Sequence, residues 1–192
     1  MNTQLAQATI PGPYRIHRYP SAMIDRLALR DGRSVTVRPI LPQDADAERA
    51  FVSTMSPTSR YRRFHLGMSE LPEWMLQAFT QIDYRTHFAL IAEANDVDDQ
   101  QHPLVADARY VVNEDGASAE FALAVADDWQ GLGLGQEMMT RLMRHAKSAG
   151  LARLSGDVLI NNEAMLGLMQ RLNADITPDL QDESLVQAHF FL

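Results

Sequence analysis

The spacing of apolar residues changes period along this chain, and each change marks an element. Residues 24–29 and 34–38 alternate apolar and polar around Asp31-Gly32, and that pattern predicts a hairpin. Pro42 and Asp44 open a helix over residues 44–55, with Asp44 as N-cap and Ala45, Ala47, Ala50 and Phe51 following. Ser56-Pro57 breaks it. A second helical stretch covers residues 59–65, and a third covers 71–81 with Pro72 near its first turn. Residues 87–94, 104–113 and 119–125 then read as strands. An acidic loop at 95–102 and the turn Glu114-Asp115-Gly116 separate them, so an antiparallel meander is predicted.

Beyond the meander the chain alternates helix and strand. A glycine-rich segment at 130–135 leads into a helix over 136–149, with Met139, Leu142, Met143 and Ala146 at helical spacing and Gly150 as its stop. A strand follows at 154–160. Asn161 or Asn162 caps a helix reaching about residue 172, and a last strand lies within 185–192. The predicted class is mixed α/β (α+β), with an antiparallel front half and a βαβ-like back half. Pro11, Gly12, Pro13 and Pro20 interrupt the start. Residues 1–22 are therefore expected as an irregular arm and 23–192 as one domain.

Composition narrows the chemistry. Of 192 residues, 46% are hydrophobic and 22% charged, an ordinary globular balance. No cysteine is present, which excludes disulfides, thiolate metal sites and a cysteine nucleophile and fits a reducing compartment. No run of about 18 apolar residues predicts a membrane span, and residues 1–10 do not read as a secretory signal, so a cytoplasmic protein is expected. Seventeen basic against 25 acidic residues give a net charge of −8, which repels nucleic acid and attracts basic partners. The six histidines show no ligand-like pairing, so no metal site is expected.

The most informative segment runs from Val125 through Gln130, Gly131, Gly133 and Gly135 and joins a strand to a helix. Glycines at alternate positions let an anion approach the main chain, and free N–H groups at a helix start point at it. A Walker loop would need Gly-Lys-Ser/Thr, but Gln136 and Glu137 follow Gly135. A dinucleotide fingerprint would need a different glycine spacing and an acid where Leu151 stands. A ligand-free glycine turn stays open on these residues alone.

Gln130-Gly131-x-Gly133-x-Gly135, after a strand and before a helix, resembles the pyrophosphate loop of the GNAT superfamily of N-acetyltransferases. Asn162-x-x-Met165-x-x-Leu168 resembles the segment of that family that flanks the pantetheine arm. Residues 30–40, 41–45, 56–64 and 119–125 are similar to the catalytic domain of bacterial Pat-type protein lysine acetyltransferases. The resemblance implies a GNAT fold, a mixed and mostly antiparallel central sheet with helices on both faces. It implies acetyl-CoA as acyl donor, held by Leu123 and Val125 backbone groups, by Gln130, Gly131, Gly133, Gly135 and Gln136 at the pyrophosphate, and by Asn162. One position departs from the pattern: Met169 stands where many members carry a tyrosine general acid, and Asn173-Ala174 replaces the usual Gly-Phe.

The implied reaction needs a neutral amine. A lysine with a pKa near 10.4 costs about 4–5 kcal/mol to deprotonate at pH 7, which a general base offsets. Glu120 is the candidate base. It begins the strand entering the loop, and alternation puts it on one face with Ala122 and Ala124, leaving room beside it. The resemblance assigns it this role; the residues alone favour a solvated glutamate at a strand start. Asp83, Glu93 and Asp107 are reserve bases, His65 and His87 weaker ones, and Arg60, Arg62 and Arg63 either line a groove or face solvent. The expected function is acetyl transfer from acetyl-CoA to a protein lysine. The alternatives are a small-molecule amine acceptor or a non-catalytic acyl-CoA sensor; a homodimer is left open.

Overall fold

Eight strands form one sheet in the order β1-β2-β3-β4-β5-β6-β8-β7 in the computed structural model, which describes residues 19–95 and 102–192. β1 (Asp25–Ala28) and β2 (Ser34–Pro39) make the predicted hairpin, with Gly32 in the left-handed region at φ 91°. β3 (His87–Ala94), β4 (Leu104–Val112) and β5 (Ser118–Val125) make the predicted meander, every pair antiparallel. β6 (Arg153–Leu159) joins β5 in parallel through the crossover helix α4 (Leu134–Ser148). β8 (Leu185–Phe191) then pairs with β6 and with β7 (Asp175–Pro178), both antiparallel.

Helices α1 (Ala45–Thr54), α2 (Pro57–Phe64), α3 (Glu73–Thr80) and α5 (Glu163–Arg171) complete the fold. Neighbouring residues on β4 show that helices cover both faces. Arg109 turns to Glu48 of α1 and Phe79 of α3, whereas Tyr110 turns to His145 of α4. Both are fully buried, so the middle of β4 is closed above and below. The core is continuous, from Val35 and Val37 through Phe88, Leu90 and Tyr110 to Met138, Met139 and Leu142. Each such side chain contributes about 1.5–3 kcal/mol of burial.

Three findings differ from the sequence expectation. β7 was not expected: it has four residues, none buried, and ends in a proline, so it carries no apolar alternation. Asp44 stands at the start of α1 but makes no cap hydrogen bond there. Its carboxylate instead accepts from the Leu41 N–H at 2.7 Å and from both ends of the Arg38 guanidinium, which also binds Glu93. The second helix starts at Pro57, with Ser56 as the cap that accepts from the Ser59 N–H. Most of the expected arm (1–18) and of the acidic loop (96–101) lies outside the described residues. The described end of the arm touches the domain, where Tyr19 donates to the Pro39 carbonyl at 3.0 Å.

Candidate active site

β5 and β6 pair only over Ser118–Arg153, Ala119–Leu154 and Glu120–Ser155. Past Glu120 the two strands separate while β5 stays bonded to β4 as far as Val125. The Ala126 N–H donates to Val105 on the β4 side at 2.8 Å. Backbone groups alternate sides along a strand, so those of Phe121, Leu123 and Val125 point into the opening. Leu123 and Val125 therefore offer main-chain groups where the resemblance places the pantetheine arm. One is already engaged: Gln130 donates its side-chain amide to the Val125 carbonyl at 3.0 Å.

The glycine segment closes one end of this opening. Gly131 and Gly133 have φ of 76° and 91°, conformations other residues rarely adopt. The first intrahelical bond of α4 runs from the Glu137 N–H to the Gly133 carbonyl. The N–H groups of Leu134, Gly135 and Gln136 thus lack intrahelical acceptors, as at any helix start. A cavity of about 480 Å³ lies over them, lined also by Leu123, Val125, Gln130 and Asn162. The structure brings all eight expected cofactor residues to this one cavity. In a chain of net charge −8, four arginines (Arg30, Arg62, Arg63 and Arg171) and one acid, Glu163, line it. That local excess of cations, with open main-chain donors, fits a diphosphate. Asn162 is buried and caps α5, its side chain accepting from the Met165 N–H at 3.3 Å.

Glu120 lines a second cavity of about 810 Å³, bounded by α2, β5, β6 and the β7–β8 turn. The two cavities share Arg62, Arg63, Leu123, Asn162 and Met165, so they adjoin. Burial, then the Asp157 carboxylate, push Glu120 up to about 7, against the pull of Arg63. Asp157 is itself raised, by burial and then by Asp179. Asp157, Asp179 and Asp182 give the second cavity an acidic wall.

Helix α2 is fixed to the glycine segment by Asp127, which accepts from the Ser56 N–H at 2.8 Å and the Ser59 hydroxyl at 2.6 Å. This contact places Arg62 and Arg63 on both cavities, while Arg60 turns back to the Ser53 and Met55 carbonyls. Burial brings Arg63 down to about 10.

The reserve bases are occupied elsewhere. Asp83 accepts from the Arg85, Thr86 and His87 N–H groups, Glu93 pairs with Arg38, and Asp107 with Arg109. His87 is pushed down to about 3 by burial, and His65 is lowered by partial burial. Met169 is fully buried in α5 and presents nothing to either cavity. Asp127, Asp157 and Arg30 were not singled out from the sequence. They sit at a turn, mid-strand and at a hairpin tip; Asp127 and Arg30 fall within stretches already noted, but nothing there gave them a role. Among the described residues no group of acids and histidines could hold a metal ion, and no helix is long and apolar enough to cross a membrane.

Comparison with known proteins agrees with this fold. The model of the acetyltransferase (GNAT) domain matches residues 34–175. An acetyltransferase of Pseudomonas aeruginosa is 32% identical over 141 residues, covering 73% of this chain and 75% of that protein. Acetyltransferase Pat of Mycolicibacterium smegmatis is 33% identical over 147 residues, covering 76% of this chain and 43% of that protein. The crystal structure of the GNAT domain of S. lividans PAT has the same fold, with a TM-score of 0.81 at 24% identity over 91% of this chain and all of that domain. The chain belongs to the GNAT acetyltransferase family, a class of acyltransferases. Within it the chain is related to acetyltransferase Pat of M. smegmatis, and the matched part spans less than half of that protein.

Proposed function

We propose that this chain transfers the acetyl group of acetyl-CoA to a primary amine, a protein lysine first among them, with Glu120 as general base. One observation carries the reading: the glutamate cavity adjoins the cavity over the glycine segment, across the opening between β5 and β6. The amine nitrogen attacks the carbonyl of the activated acetyl thioester, the C–S bond breaks, and CoA leaves as a thiolate that takes a proton from water, so no covalent enzyme intermediate is needed. The α4 N-terminus and Gly131, Gly133 and Gly135 bind the diphosphate, with Gln130 and Gln136 beside them. Leu123, Val125 and Asn162 orient the pantetheine arm. Glu120 takes a proton from the incoming ammonium, a task suited to a carboxyl held near neutrality. The wall of Asp157, Asp179 and Asp182 attracts the cationic acceptor.

The size and acidity of the Glu120 cavity also favour a second reading, a small polycationic amine as acceptor. Radiolabelled acetyl-CoA, the purified protein and a whole bacterial lysate separate the two. Label in the protein fraction is expected. Label confined to small molecules moves the acceptor to the second reading. Intact acetyl-CoA binding with no label anywhere overturns transfer and leaves an acyl-CoA sensor.

A further inference from the structure

The β1–β2 hairpin reaches across to the glycine segment, and its tip is latched there. Arg33 lays its guanidinium over the Trp129 ring, 4.1 Å from the centroid, and donates to the Asp128 carbonyl at 2.9 Å. Asp31 holds the same guanidinium from the other side at 2.6 Å. Within the tip, the Leu29 N–H donates to the Arg33 carbonyl at 2.8 Å and the Gly32 N–H to the Leu29 carbonyl at 3.1 Å. The tip is therefore a closed turn with one arginine committed to the latch.

The other arginine, Arg30, is not committed. Its Nε lies 3.5 Å, and its Nη2 4.0 Å, from the point where a Cβ would stand on Gly133. It lines the cavity over the α4 N-terminus. Among the described residues its guanidinium has no ion pair or hydrogen bond, although Arg26, Arg33 and Arg141 on the same side of the molecule all have partners. The neighbouring acid, Asp31, is taken by Arg33. An exposed cation thus stands beside the open main-chain donors at the start of α4.

We propose that Arg30 is a binding residue for the diphosphate of the acyl-CoA, clamping it against the glycine segment, and that Arg33 and Trp129 are positioning residues that hold Arg30 over Gly133. This inference rests on the reading of the glycine segment as the diphosphate cradle. A guanidinium fork suits two phosphoryl oxygens, and a lysine supplies the charge without the fork. The position over Gly133, at the start of α4, assigns Arg30 to the diphosphate rather than to the 3′-phosphate on the far ribose.

The test is calorimetric titration of the full chain with CoA and with dephospho-CoA, which keeps the diphosphate and lacks the 3′-phosphate. Arg30→Ala is expected to weaken both by the same factor, about 10- to 100-fold. Arg30→Lys should recover part of the loss. Arg33→Ala should weaken both ligands less, and the double variant no more than Arg30→Ala alone, since a positioning residue has nothing left to position. Arg30 is exposed, so an unchanged Tm is expected alongside. Parental affinity in Arg30→Ala overturns the proposal and leaves the proposed function standing. A loss for CoA alone moves Arg30 to the 3′-phosphate and overturns the diphosphate assignment. Additive losses in the double variant overturn the latch. If the parent protein binds neither ligand, this inference and the proposed function fall together.

Discussion

Glu120 stands opposite Ser155 at the last paired position between β5 and β6, so the candidate base sits at the point where the sheet opens. One residue earlier, it would lie within the paired part of the sheet. On β6, Asp157 follows two residues after Ser155, on the same face, and shares the Glu120 cavity. The base, its acidic neighbour and the opening are thus produced by one feature of the topology.

The pH dependence of transfer follows from that neighbourhood. Glu120 is held up to about 7 by burial and then by Asp157. If Glu120 is the base, as proposed, the ionised carboxylate is the active form, and kcat/KM should rise with pH through about 7. Asp157→Asn removes one cause of the upward shift and should move this limb to lower pH. Rate–pH profiles of the two proteins on one acceptor check this, and superimposable limbs contradict it.

Beneath α1, Arg109 is fully buried and binds Asp107, Glu48 and the Phe79 carbonyl. Burial opposes the charge on Asp107, but Arg109 outweighs it and holds that carboxyl low. Burial, then the Asp107 charge, push Glu48 the other way, above the usual carboxylate range. Arg109→Leu leaves Asp107 unpaired and should cost about 3–5 kcal/mol in urea unfolding. Glu48→Gln keeps the shape and the acceptor for Arg109, and should cost less than Arg109→Leu. A pKa raised in the folded state gives stability that is present at low pH and lost as pH rises. The parent Tm should therefore fall between about pH 4.5 and about 8, and Glu48→Gln should flatten that fall.

Gly156 tests the other wall of the opening. A Cβ there would stand 2.8 Å from the Phe121 ring and 3.0 Å from the Phe121 carbonyl oxygen. The ring also packs on Phe190, with centroids 5.6 Å apart. Gly156→Ala should therefore cost about 1–3 kcal/mol in urea unfolding. It should also slow transfer well below the Tm, because Phe121 adjoins Glu120 in β5. An unfolding midpoint and a rate both equal to the parent's contradict this packing account.

The sequence was legible where one physical rule governed a segment. The apolar runs of β3 and β4 and the Asp31-Gly32 turn each declared an element. The glycine-rich run before α4 marked a helix start, and Asn161-Asn162 marked the cap of α5, which falls on Asn162. It was silent where two segments distant in the chain had to meet. Alternation told which face Glu120 shares with Ala122 and Ala124, but not that β6 leaves β5 after Ser155. Asp44 read as a helix cap because local rules make it one, yet the charge of Arg38 claims it. Asp107 and Arg109 flank Ala108 in an apolar strand, so nothing local announces a buried charge cluster. Arg30 stands 103 positions before Gly133, and no periodicity connects a hairpin tip to a helix start.

The most direct test of the account is Glu120→Gln, measured for both acetyl-CoA affinity and acetyl transfer at pH 8. The substitution keeps the shape and removes the candidate base, in a cavity that adjoins the one over the glycine segment. Transfer should fall about 10²- to 10⁴-fold, with the acetyl-CoA Kd within about twofold of the parent's. Transfer retained within about tenfold of the parent, with binding equally intact, would contradict Glu120 as the base.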